Sequence, residues 1–90
     1  MLPTHRSPTS PGEMLLEEFL KPSKMTQRAL AQSTGLSVQS VNLLIHGKRG
    51  VTAETAIRLG RVFGNSPQFW LGLQMDWDLW RAQRKLERTG

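Results

Sequence analysis

Gln39 and Asn42 stand three residues apart in the run SVQSVNLLIHG, and they are the side chains in this 90-residue chain best suited to recognising another molecule. A carboxamide sets a donor beside an acceptor, the pairing that matches N6 and N7 of adenine in the DNA major groove. A spacing of three puts both amides on one face of a helix. Val38, just ahead of them, offers the kind of apolar surface that meets a thymine methyl. Ser40 and His46 point outward from the same helix. On either side lie groups suited to phosphates rather than bases: Thr26, Gln27, Arg28 and Ser37 before, Lys48 and Arg49 after. Together these residues form a candidate surface for reading double-stranded DNA.

Enzymatic chemistry finds little support. The only histidines are His5 and His46, and there is no cysteine. There is no HExxH, no GxSxG and no glycine loop of the kind that cradles phosphate. Glu17 and Glu18 are neighbours on a predicted helix, so they diverge by ~100° and cannot converge on one substrate atom. The expectation is a protein with no catalytic residue, no metal site and no cofactor.

The candidate surface needs two elements to position it. Thr26 is a good N-cap for a helix over Gln27 to Ser33. Gly35 gives the backbone freedom for a sharp turn, and Ser37 can cap a second helix from Val38 to about His46, which Gly47 ends. Leu30, Leu36, Val41 and Leu44 are spaced to meet inside the angle between the two, leaving Gln39, Ser40, Asn42 and His46 outside. This is the pattern of a helix-turn-helix, whose second helix enters the major groove.

Further helices flank this unit. Pro11 suits a first turn, and Gly12 to Leu20 carries acids early and the i,i+4 pairs Leu15–Phe19 and Leu16–Leu20; Pro22 is expected to stop it. Thr52 caps a helix from Ala53 to about Phe63, closed by Gly64, with Ala56, Leu59 and Phe63 on one stripe. Ser66 and Pro67 open the last and longest helix, to about residue 87. It has two apolar stripes on nearly opposite sides: Trp70, Leu73, Trp77 and Trp80 on one, and Leu71, Met75, Leu79, Ala82 and Leu86 on the other. One stripe can cover the chain's own core. The second calls for another surface, and a homodimer is the simplest candidate. A dimer would present two reading helices to half-sites ~34 Å apart.

Composition agrees. The formal charge is +5, and between Lys21 and Arg61 seven basic residues face the single acid Glu54. Glu13, Glu17 and Glu18 form the main acidic cluster, read either as compensation of a helix dipole or as a docking face for a basic protein. Residues 1–10, with Pro3 and Pro8, read as a flexible N-terminal arm, and residues 11–90 as one domain. No window reaches the ~18 apolar residues of a membrane span and no signal peptide opens the chain, so a cytoplasmic protein with no membrane partner is expected.

The helix-turn-helix resembles the Xre/Cro family of small all-helical repressors. A tighter resemblance runs from Pro11 to about Glu87: PGEMLLEEFL, the loop HGKRG, the run TAETAIRL and the segment SPQFWLGLQ are together similar to the HigA-type, or VapI-like, antitoxins. The resemblance implies an all-α, lambda-repressor-like fold of about five helices with a long C-terminal helix. It also implies a dimer that binds an inverted-repeat operator, represses its own operon and neutralises a HigB/RelE-like mRNA-cleaving toxin. A stand-alone Xre-type repressor without a toxin is the alternative. Two features depart from the pattern: Ser10 stands where many members have histidine, and the N-terminal arm is longer than usual.

Overall fold

The computed structural model describes residues 7–89, which form helices and no strands. Five helices follow in order: α1 over residues 11–23, α2 over Gln27–Thr34, α3 over Val38–Ile45, α4 over Ala53–Phe63 and α5 over Pro67–Thr89. The expected all-α architecture with a long last helix is what the chain adopts. Most of the expected N-terminal arm, including His5 and Arg6, lies outside the described residues.

Every helix begins on a hydroxyl cap. The backbone N–H groups of Glu13, Ala29, Ser40, Thr55 and Phe69 donate to the side chains of Ser10, Thr26, Ser37, Thr52 and Ser66 at 3.0–3.3 Å. Each such cap contributes ~0.5–2 kcal/mol by satisfying a donor the helix leaves open. Ser10, the departure from the family pattern, is thus the N-cap of α1. Gly35 and Gly64 close α2 and α4 at φ of 82° and 72°, a region costly for any residue with a Cβ.

Helix α1 departs from the sequence expectation. Pro22 does not stop it: the helix continues through Lys21–Ser23 and ends at Lys24, which takes φ 56°. The reason lies in the preceding turns, where Leu15–Leu20 is wound as a π-helix after the α-helical turn Pro11–Met14. In an α-helix a proline ring collides with the carbonyl four residues back and forfeits a hydrogen bond. Here the N–H groups of Lys21 and Met25 bond five residues back, to Leu16 and Leu20, and the wider turn accepts the ring. Ser23 Oγ donates to the Phe19 carbonyl at 2.6 Å, satisfying an acceptor that the Lys24 N–H, turned to the Lys21 carbonyl, does not reach.

The core draws on every helix: Leu15 and Leu20 from α1, Leu30 and Ala31 from α2, Val41 and Leu44 from α3, Ala56 and Leu59 from α4, and Trp70 from α5, with Val51 from the loop. Trp70 is the largest fully buried side chain, and its indole N–H donates to Asn65 Oδ1 at 2.7 Å. Phe19, Phe63 and Phe69 surround it with ring centroids 5.1–6.2 Å away. Helix α5 packs chiefly on α4 and also on α1.

The two stripes of α5 separate cleanly, with one exception. Trp70, Leu73, Trp77 and Trp80 are buried or half-buried, and the last two rings stack at 5.4 Å. On the other side Met75, Leu79, Ala82 and Leu86 are exposed, whereas Leu71 is half-buried and packs against the core. Leu71 belongs to the first turns of α5, which still lie on the body of the domain, so it joins the core rather than the outer stripe. No helix among the described residues is long and apolar enough to cross a membrane.

Gly12 fixes how α1 meets α3. A Cβ there would run into the backbone carbonyls of Leu44 and Ile45, at the end of α3. Backbone cannot yield as a side chain can, so Gly12→Ala is expected to lower stability by ~1–3 kcal/mol in urea denaturation. Gly72→Ala is the control: its Cβ meets nothing within 4 Å, and the change should be neutral or stabilising by up to ~1 kcal/mol.

Candidate nucleic-acid interface

Helices α2 and α3 pack against each other, joined by Gly35 in the turn and by a buried threonine. Thr34 Oγ1 donates to the Leu30 carbonyl at 2.8 Å and accepts from the Leu36 N–H at 3.2 Å, joining the end of α2 to the turn. Leu30, Val41 and Leu44 are buried inside the angle and Leu36 is half-buried. Gln39, Asn42 and His46 lie exposed on the outer face of α3, and Val38 is 45% exposed at its start.

Ser40 is less free than the sequence suggests. Its hydroxyl accepts from Ser37 Oγ at 2.9 Å and from Arg49 Nη1 at 2.6 Å. Arg49 is therefore folded back from its loop onto the first turns of α3, with the remaining donors of its guanidinium still available. Ser37 is engaged in both directions, accepting from the Ser40 N–H and donating to its hydroxyl. Its contribution to any phosphate site is the capped helix start rather than a free hydroxyl.

A second link crosses from α2. Asn42 Nδ2 donates to Gln27 Oε1 at 3.2 Å, so the two amides orient each other. The bond uses one of the two Asn42 N–H groups, leaving the other N–H and Oδ1 for further contacts. Gln27 keeps its own amide N–H groups at the start of α2, next to exposed Thr26 and Arg28. His46 Nδ1 lies 2.9 Å from the Asn42 carbonyl; a carbonyl only accepts, so Nδ1 carries a proton.

The loop after α3 is an ordered hook. Gly47 takes φ 72°, and the N–H groups of Gly47, Lys48 and Arg49 turn back to the carbonyls of Leu44 and Leu43 at 2.8–3.3 Å. Lys48 is exposed and makes no ion pair among the described residues. The far end of the hook is tied to α5, where Gln74 Oε1 accepts from the Val51 N–H at 2.7 Å and Gln74 Nε2 donates to Asp78 at 2.9 Å.

Sequence reasoning missed three of these contacts: Gln27 with Asn42, Arg49 with Ser40, and Gln74 with Val51. It also left unseen the bonds of Arg58, whose half-exposed side chain donates to the Thr34 carbonyl at 2.7 Å and to Glu54 at 3.0 Å. A cation on the last carbonyls of α2 offsets the negative end of that helix. The one legible signal was the i,i+4 spacing of Glu54 and Arg58. No group of three or more histidine, aspartate or glutamate side chains is arranged to hold a metal among the described residues.

The geometry is that of a helix-turn-helix, and the chain belongs to the helix-turn-helix family HTH_3, whose model matches residues 16–70. Within that family the likeness is to HigA-type antitoxins, as the sequence motifs imply. Antitoxin HigA-1 of Vibrio cholerae is 44% identical over 88 residues, 97% of this chain and 82% of that protein. Antitoxin HigA of Pseudomonas aeruginosa, solved with the higBA promoter, matches at a TM-score of 0.86 with 39% identity, covering 91% of this chain and 89% of that one. Antitoxin GraA in complex with its operator matches at 0.86 with 35% identity, covering 99% and 90%.

The Arg58 contact gives a stability test. Arg58→Ala removes a charged donor from a helix-end carbonyl and is expected to lower stability by ~1–2 kcal/mol in chemical denaturation. Glu54→Ala removes only the exposed half of the ion pair and should shift it by no more than ~0.5 kcal/mol. Equal effects would place the value of Arg58 in the surface pair instead.

Proposed function

We propose that this chain is a sequence-specific DNA-binding antitoxin that represses its own operon as a dimer and neutralises an mRNA-cleaving toxin of the HigB/RelE type. The observation that carries the reading is the exposed amide face of α3, Gln39 and Asn42, set between the capped start of α2 and a basic hook. Its support is the likeness to HigA with its promoter and to GraA with its operator. In this reading α3 lies in the major groove. Gln39 and Asn42 contact base edges, Val38 meets a thymine methyl, and Ser40 and His46 border the readout. Thr26, Gln27, Arg28 and the start of α3 at Ser37 hold one stretch of backbone, while Lys48 and Arg49 hold another. Met75, Leu79, Ala82 and Leu86 pair two copies, so that an inverted repeat is read by both.

Base readout and backbone contact separate in a binding assay. Gln39→Ala and Asn42→Ala are each expected to relax preference at particular operator positions by ~1–3 kcal/mol in fluorescence anisotropy against single-base variants. Lys48→Ala should weaken all sequences alike and reduce the slope of log affinity against log salt by ~1. Loop substitutions that altered sequence preference, with helix substitutions that did not, would reverse the proposed orientation.

For the toxin, charge offers a surface. A protein that cuts RNA is expected to be basic, and Glu13, Glu17 and Glu18 lie exposed along α1, with Glu17 already paired to Lys21 at 2.6 Å. Reversal of all three to lysine should abolish co-purification with the product of the adjoining gene and leave operator affinity within about threefold. Retained co-purification would remove α1 from the toxin interface. An adjoining product that never binds the unaltered chain would favour the stand-alone repressor.

A further inference from the structure

The outer stripe of α5 has a regular spacing. Met75, Leu79 and Leu86 are 58%, 48% and 68% exposed, and Ala82 is exposed with them. Steps of four, three and four are those of the a and d places of a heptad, with Leu79 and Leu86 at a and Met75 and Ala82 at d. On that register Asp78 and Lys85 occupy g on one flank, and Asp76 and Gln83 occupy e on the other.

We propose that this stripe is the seam of an antiparallel pair with a second copy of the chain, on a two-fold axis crossing α5 between Trp80 and Arg81. The proposal rests on the dimer reading above and adds its orientation and register. In an antiparallel pair each a residue faces a d residue. Leu79 then meets the partner's Ala82, large against small beside the axis, and Met75 meets the partner's Leu86. Both layers share one midpoint, so a single register satisfies all four residues.

Charge selects this orientation over the parallel one. Antiparallel pairing brings g opposite g, so Asp78 faces the partner's Lys85, and symmetry repeats the pair on the far side of the axis. At e, Asp76 faces the partner's Gln83, which repels nothing. A parallel pair would face g with e, setting Asp78 against the partner's Gln83 and leaving the stripe with no pair of opposite charges. Flanking charges of this kind decide orientation in helix pairs more than they add stability. Antiparallel helices also oppose their dipoles favourably.

The chain has no cysteine, so a single introduced thiol reports on the seam alone. Full-length M75C and L86C are purified separately and oxidised, each alone and as an equal mixture. In the proposed register identical positions lie eleven residues apart along the seam, ~16 Å at 1.5 Å per residue, beyond the ~7 Å that a disulfide spans. Neither protein alone should cross-link, and the mixture should form a mixed disulfide dimer. Separately, Asp78→Lys and Lys85→Asp are each expected to raise the dimer dissociation constant about tenfold at low salt, and the combined variant to return it to within about twofold. A dimer by light scattering in which M75C alone cross-links, or in which the charge swap fails to restore pairing, overturns the register and leaves the dimer reading intact. A monomer at every concentration, with no cross-link in any mixture, overturns both. A stripe that the adjoining gene's product protects from thiol labelling in such a monomer assigns it to that partner instead.

Discussion

The burial of Trp70 is the constraint on which the arrangement depends. Its ring sits among Phe19 of α1, Phe63 of α4 and Phe69 of its own helix, with the indole N–H held by Asn65. Fully burying a side chain of this size contributes several kcal/mol, a large share of the stability of a 90-residue domain. Its position matters as much as its size. Without Trp70, α5 would touch the domain mainly through half-buried residues, and the angle of its projecting half would be poorly set. With it, α5 becomes a rigid arm one turn beyond which Gln74 reaches the basic hook and Met75 begins the outer stripe.

That placement ties together two surfaces that look independent in the sequence. Gln74 holds the Val51 N–H and leans on Asp78, and Asp78 flanks the proposed seam. The hook that carries Lys48 and Arg49 is thus anchored to the helix that would join two copies. Arg49 in turn bonds Ser40 on α3, and Gln27 bonds Asn42 from the other side. The polar side chains around α3 therefore act as braces before they contact anything outside the chain. A base-reading amide whose orientation is already fixed loses less freedom on binding than one left to rotate.

Local chemistry was legible in the sequence, and distant chemistry was not. The caps at Thr26, Ser37, Thr52 and Ser66 and the glycine stops at Gly35 and Gly64 follow from residue types within a few positions, and each stands where the sequence puts it. The apolar pattern gave the core face of every helix, including the opposed stripes of α5. What failed was of two kinds. Pro22 was read by the rule for α-helices, and nothing local announces that the preceding six residues wind as a π-helix. The contacts of Gln27, Arg49, Arg58 and Gln74 join residues from nine to twenty-four positions apart, and only the packed helices determine which polar side chains meet. The same packing drew Leu71 out of the outer stripe and into the core.

Gly12 lets the backbone of α1 press against the end of α3, and the same helix presents Glu13, Glu17 and Glu18 on its outer side. One short helix thus has a tight backbone contact with α3 on its inner face and an acidic surface on its outer face. A partner gripping the acids would press on the element that sets the position of α3. In the proposed function, α1 is thus the element shared between the acidic surface and the placement of α3.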